Sequence, residues 1–202
     1  MAVCGGLLLT YSRGAYIAFG TSAIAAIILL KQWKWLSLFP VAAVILFLLP
    51  RPGGEGINLL RTISVVGRLE NNQAAVQLFL RSPVIGYGFD TIRYIRADSV
   101  NSLNGLLSNA SAGFQNSYLF ILVTTGIIGL IAYGLLWWRL FISGLENVKK
   151  SESKLTRLIL TTSFVAVATH AFFDNSLFYT YVMMWLWVLF GSFSIESGSK
   201  RE

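Results

Sequence analysis

Five stretches of this 202-residue chain, at about residues 4–30, 34–50, 115–142, 156–173 and 177–194, are apolar over the roughly 17–25 residues that a helix needs to cross a bilayer. They predict an all-α polytopic membrane protein with about five transmembrane helices, organised as a single membrane domain over 1–202. The last two runs are separated only by Asp174-Asn175-Ser176. Joined, they would be too long for one crossing, so a tight re-entry is expected. Composition agrees: 12% of the residues are charged and 55% hydrophobic, against about 25% charged in soluble domains.

The formal net charge of +7 does not point to nucleic acid. The basic residues gather in short connections between apolar runs, where they record membrane orientation. Cys4 is the only cysteine, which excludes an intrachain disulfide and a cysteine metal cluster. No basic segment precedes the first apolar run, so a cleavable signal peptide is not expected. The chain reads as though it begins inside a helix, with further helices upstream.

Lys31 and Lys34, then Lys149, Lys150, Lys154 and Arg157, then Lys200 and Arg201 all fall on one side of the predicted crossings. By the positive-inside rule that side is the cytoplasm. The N-terminus is then outside and the C-terminus inside. Residues 51–114 form one long extracytoplasmic loop, whose own arginines escape the rule because it exceeds about 60 residues. Within this frame the segment "TYSRGAY" poses a question, because an unpaired arginine at mid-bilayer costs at least about 2.5–3.5 kcal/mol. Counting about 20 residues back from Lys31 at 1.5 Å each brings the helix to the outer boundary near Tyr11. Arg13 is therefore expected at the outer face. The same count puts Gln115 and Asn116 at the outer start of the third helix, and His170 and Asp174 at the outer end of the fourth.

The outer loop opens on a turn, Arg51-Pro52-Gly53-Gly54, and carries a helical stretch from Ser64 to Leu80 that Pro83 ends. Arg68, Asn71, Asn72 and Ala75 share one face of it, while Leu69, Val76 and Leu80 point elsewhere, the pattern of an amphipathic helix lying on the membrane. In "SPVIGYGF", Gly86 and Gly88 lack the third glycine and the strand–helix setting of a dinucleotide loop. "NSLNGLLSNASAG" has the composition of a mobile covering loop. Gly126 and Gly129 in "TTGIIGLIAYG" suggest close helix packing. Trp137, Trp138, Trp185 and Trp187 are expected at lipid-facing or interfacial positions.

Taken together, "TYSRGAY" on an outward-ending helix, "GRLENNQAAVQLFLRSPVIGYGF" in a long outer loop, "QNSYLFILVTTGIIGLIAYGLLW" opening the next helix and a last helix pair around "FFDNSLFY" resemble the C-terminal half of the O-antigen ligase and O-antigen polymerase-like family of bacterial envelope glycosyltransferases. The resemblance implies transfer of an undecaprenyl-pyrophosphate-linked glycan to a saccharide or lipid acceptor hydroxyl at the outer face of the cytoplasmic (inner) membrane. It implies no metal or other cofactor, the pyrophosphate being held by arginines. By motif, Arg13 matches the family's helix arginine and Arg68 its loop arginine, with Arg81 as a third. Many family ligases have a His-Asn pair where the loop ends, and this chain reads Gln115-Asn116.

Guanidinium groups suit that chemistry, because their planar forks bind phosphate oxygens in pairs and stabilise the charge that builds on a leaving pyrophosphate. Glutamine cannot act as a base, although Gln115 can accept a hydrogen bond from a hydroxyl and orient it. His170, the only histidine, is a substitute base by its ordinary pKa of about 6.5; Asp174 and Glu70 are carboxylate rivals. The competing reading is a membrane protein without turnover, either an inactive or truncated binder of lipid-linked glycan or a transporter segment. A transporter should show broken helices with ionisable groups near mid-bilayer, whereas here such groups collect at the outer face.

Overall fold

The computed structural model describes residues 2–48, 63–92, 94–95, 114–150 and 154–198. The turn expected at 51–54 and the covering loop at 101–113 lie outside the described residues. Every regular element among the described residues is helical: α1 (Ala2–Leu9), α2 (Arg13–Leu30), a 3₁₀ turn (Trp33–Ser37), α3 (Leu38–Leu48), α4 (Ile63–Arg81), α5 (Ser117–Lys150), α6 (Lys154–His170), a second 3₁₀ turn (Ser176–Phe178) and α7 (Thr180–Gly198). By length and apolar character, Arg13–Leu30 and Ser117–Ser143 can each cross a membrane, and the apolar part of α7, Thr180–Gly191, is shorter.

The first apolar run is two helices, not one. Thr10 turns its hydroxyl onto the Leu7 carbonyl at 2.7 Å, Tyr11 takes a left-handed φ of 49°, and Ser12 is extended, its Oγ accepting from the Ala15 N–H at 3.3 Å. That is an N-cap, and it makes Arg13 the first residue of α2. Eighteen residues rise roughly 27 Å, close to the hydrocarbon thickness of about 30 Å. Arg13 therefore stands at the end of a bilayer-length helix. At the other end Lys31 adopts φ 54°, ψ 33°. Its N–H bonds the Ile28 carbonyl and the Gln32 N–H bonds that of Ile27, a Schellman closure in which lysine stands where glycine is usual and its charge complements the helix C-terminus.

The chain divides into two compact units. The first comprises Met1–Thr62, Phe141–His170 and Met184–Glu202. In it α2 packs against α6 through hydroxyls as well as apolar contact. Thr21 donates to the Thr169 hydroxyl at 3.0 Å and Ser22 to the Thr162 carbonyl at 3.0 Å. Phe141 stacks on Phe164 at 4.3 Å. Small hydroxyl residues at a helix crossing are what apolar helices use to approach closely and pair.

The second unit comprises Ile63–Leu140 and Ala171–Met183. Ala75, Leu78, Ile92, Phe114 and Val123 form its buried centre, with Phe79, Tyr87, Leu119 and Phe120 packed around them. α4 buries Ala75 and leaves Leu69, Val76 and Leu80 exposed, as its spacing divides them, and it also turns Leu78 inward. An aromatic group continues this core, with Phe178 at 4.9 Å from Phe120 and 6.1 Å from Tyr133.

Within this unit α5 breaks. Gly126 takes φ 67°, ψ −169°, a conformation essentially confined to glycine. The turn after α4 occupies the gap: the Tyr87 and Gly88 N–H groups bond the Val123 and Thr124 carbonyls at 3.0 and 2.7 Å, and the Ile127 N–H bonds the Pro83 carbonyl at 2.9 Å. A Cβ on Gly126 would strike the Val84 carbonyl, and one on Gly86 would lie 2.6 Å from the Thr124 carbonyl oxygen. The glycine expected to pack helix on helix instead admits a loop backbone. Trp137 also departs from expectation: it is buried, with its ring 6.0 Å from Tyr133, while Trp138, Trp185 and Trp187 are exposed. The helix expected from 177 begins three residues later, because Ser176–Phe178 forms a 3₁₀ turn and α7 starts at Thr180.

Candidate functional site

The second unit gathers three of the polar segments around the turn between α6 and α7. Asn116 begins α5, its Oδ1 accepting from the N–H groups of Tyr118 and Leu119 at 3.0 and 3.1 Å. This is an asparagine N-cap, so the Asn116 side chain shapes the helix start. Gln115, just before it, is exposed. Ser117 follows and is fully buried. Its N–H donates to the Ala171 carbonyl at 2.9 Å and its hydroxyl to the Asp174 carbonyl at 3.0 Å, while Oγ accepts from the Leu177 N–H at 3.3 Å. Tyr118 lays its ring 4.5 Å from that of Phe172.

Arg68 reaches the same turn from α4. Its Nη1 donates to the Phe173 carbonyl at 2.6 Å, and the side chain is otherwise exposed. A guanidinium carries five N–H donors, so this charge-assisted bond anchors one nitrogen and leaves the rest of the fork able to meet an anion. The next residue, Asp174, accepts through Oδ1 from the Asn175 N–H at 2.8 Å and from the Tyr179 hydroxyl at 2.7 Å. That bond, with lesser help from burial, pushes the Tyr179 phenol up to about 12, so Tyr179 stays a proton donor to the carboxylate at neutral pH. Asp174, Gln115 and Arg68 thus belong to one neighbourhood, tied together through main-chain atoms.

The other named residues stand elsewhere. Arg81 ends α4, thirteen residues after Arg68, so roughly 20 Å of helical rise separates the two. Glu70 is exposed on α4. Arg13 and His170 belong to the first unit. There Thr169, the neighbour of His170, meets Thr21, which lies eight residues and roughly 12 Å along α2 from Arg13. Arg13 itself is half-buried beside the fully packed Gly14. Among the described residues no three His, Cys, Asp or Glu side chains come together as a metal-ligand set. Sequence reading missed Ser117 and the Phe173 carbonyl, since neither a buried serine nor a main-chain oxygen carries a spacing signal.

The sequence model of the O-antigen ligase family matches residues 1–134 of the 202. That stretch contains Arg13, Arg68, Arg81 and the Gln115-Asn116 pair and stops short of His170 and Asp174. Comparisons with curated proteins and with solved structures find no match. The family's work is ligase- or glycosyltransferase-like chemistry on lipid-linked glycans in envelope polysaccharide synthesis. With its long apolar helices, this chain is an integral membrane protein and belongs to the O-antigen ligase family.

Proposed function

We propose that the protein transfers or polymerises an undecaprenyl-pyrophosphate-linked saccharide onto an acceptor hydroxyl at the outer face of the cytoplasmic membrane, without a metal. The observation that carries this reading is the Arg68 guanidinium, anchored at one nitrogen by the Phe173 carbonyl and otherwise exposed. The acceptor oxygen attacks C1 of the donor sugar, the C1–O bond to the pyrophosphate breaks, and the carrier leaves with the electron pair. Arg68 holds and neutralises that leaving group; Arg13, at the start of α2, is a phosphate-binding arginine by the family motif alone, and Arg81, roughly 20 Å of helical rise from Arg68, does not share its phosphate. Arg13 opposes the positive end of its own helix, and a bound pyrophosphate would relieve both. Gln115 accepts from the acceptor hydroxyl and orients it.

The proton goes to a side chain that can accept one, and His170 and Asp174 are the candidates. Asp174 has the geometric support, since it follows the residue that Arg68 grips and its Oδ1 is held by two donors. The transporter reading does draw one favourable observation, the break in α5 at Gly126. The backbone groups freed there are taken by Pro83, Tyr87 and Gly88, so they are not offered to an ion or solute as the broken helices of transporters offer theirs. The test is transfer of radiolabelled saccharide from the lipid carrier in membranes that contain the protein, alone or within a longer family member. Arg13→Ala is expected to abolish transfer; unchanged transfer refutes its role.

A further inference from the structure

Ser117 is fully buried, has no part in the chemistry above, and makes three hydrogen bonds to one short segment. As the first residue of α5 its N–H has no partner inside the helix, and it is spent on Ala171. Its hydroxyl uses both of its capacities, donating to Asp174 and accepting from Leu177, as only a hydroxyl can at this size. Phe173 lies between the two captured carbonyls of Ala171 and Asp174, so its own carbonyl is fixed in place without being touched by Ser117. That carbonyl is what Arg68 binds. An exposed arginine otherwise spreads over many rotamers.

We propose that Ser117 is a positioning residue for the donor site: by clamping the Ala171–Leu177 turn it sets the Phe173 carbonyl that aims the Arg68 guanidinium at the pyrophosphate. The inference rests on the reading of Arg68 as a pyrophosphate holder. It distinguishes Ser117 from a packing serine, because a packing role does not depend on Arg68 being present. Ser117→Ala keeps the volume and removes both hydroxyl bonds, which releases the turn while the Ala171 bond and the Asn116 cap remain.

The experiment measures binding of undecaprenyl pyrophosphate to the whole protein in vesicles, for Ser117→Ala, Arg68→Ala and the pair, with tryptophan fluorescence to confirm folding. Ser117→Ala is expected to weaken binding about tenfold, the loss of one well-aimed charged hydrogen bond. On the Arg68→Ala background the same change should have no further effect. If Ser117→Ala does not yield folded protein, Ser117→Cys, with its weaker donor, is measured by the same criterion. A silent Ser117→Ala beside a weakened Arg68→Ala overturns the positioning role alone, as does an effect of Ser117→Ala that persists in full on the Arg68→Ala background. A silent Arg68→Ala overturns the reading beneath it and the proposal with it.

Discussion

Gly126→Ala tests the architecture that carries the site. At φ 67°, ψ −169° an alanine is strained by about 1–3 kcal/mol. Its methyl group would also enter the Val84 carbonyl, so the turn after α4 must withdraw. That withdrawal breaks the bonds from Tyr87, Gly88 and Ile127 to Val123, Thr124 and Pro83, each worth about 0.5–1.5 kcal/mol net. The sum is a loss of about 2.5–7.5 kcal/mol, large against the 5–15 kcal/mol that holds a typical domain. Unfolding in mixed detergent micelles, followed by tryptophan fluorescence, reads it out. Gly67→Ala is the control: it sits inside α4 with nothing within 4 Å of the added carbon, and should stabilise by about 0.5–1 kcal/mol. If Gly126→Ala unfolds at the wild-type midpoint, the backbone clasp is not a feature of the folded protein.

Three further outcomes are expected. Ser12→Ala removes the cap on α2 and should lower stability by about 1 kcal/mol, read from the same unfolding midpoint, whereas an unchanged midpoint would mean that Arg13 does not begin a helix. Transfer should persist in excess EDTA; a loss restored by magnesium would contradict arginine-only stabilisation of the leaving group. Tyr179→Phe removes one of the two donors to Asp174 and should lower stability by about 1 kcal/mol, read from the unfolding midpoint, whereas an unchanged midpoint would mean that this bond does not hold the turn.

How far the sequence was readable depends on which forces wrote each feature. Helix type, the two faces of α4 and the position of Arg13 follow from hydrophobic period and length, which are local and repeated over many residues. The break at Thr10–Ser12 was harder to read, since only three residues carry it and apolar residues flank it on both sides. Gly126 and Gly86 were visible as glycines, but their mutual fit is a contact between residues forty positions apart, and spacing within one segment says nothing about it. Around the site, the family motif named Arg68, Gln115 and Asn116. The partners that fix them are a carbonyl and a buried hydroxyl, which leave no pattern. Trp137 was misplaced for a related reason: composition separates apolar from polar but does not say which apolar residues face protein and which face lipid.

The most direct test is the rate of saccharide transfer from undecaprenyl pyrophosphate in reconstituted vesicles, wild type against Arg68→Ala, with Arg68→Lys to separate charge from the planar fork. The account predicts that kcat/KM falls by two orders of magnitude or more in Arg68→Ala, equivalent to about 2.7 kcal/mol of lost transition-state stabilisation, with Arg68→Lys recovering only part of it. Transfer in Arg68→Ala within about twofold of wild type would contradict it.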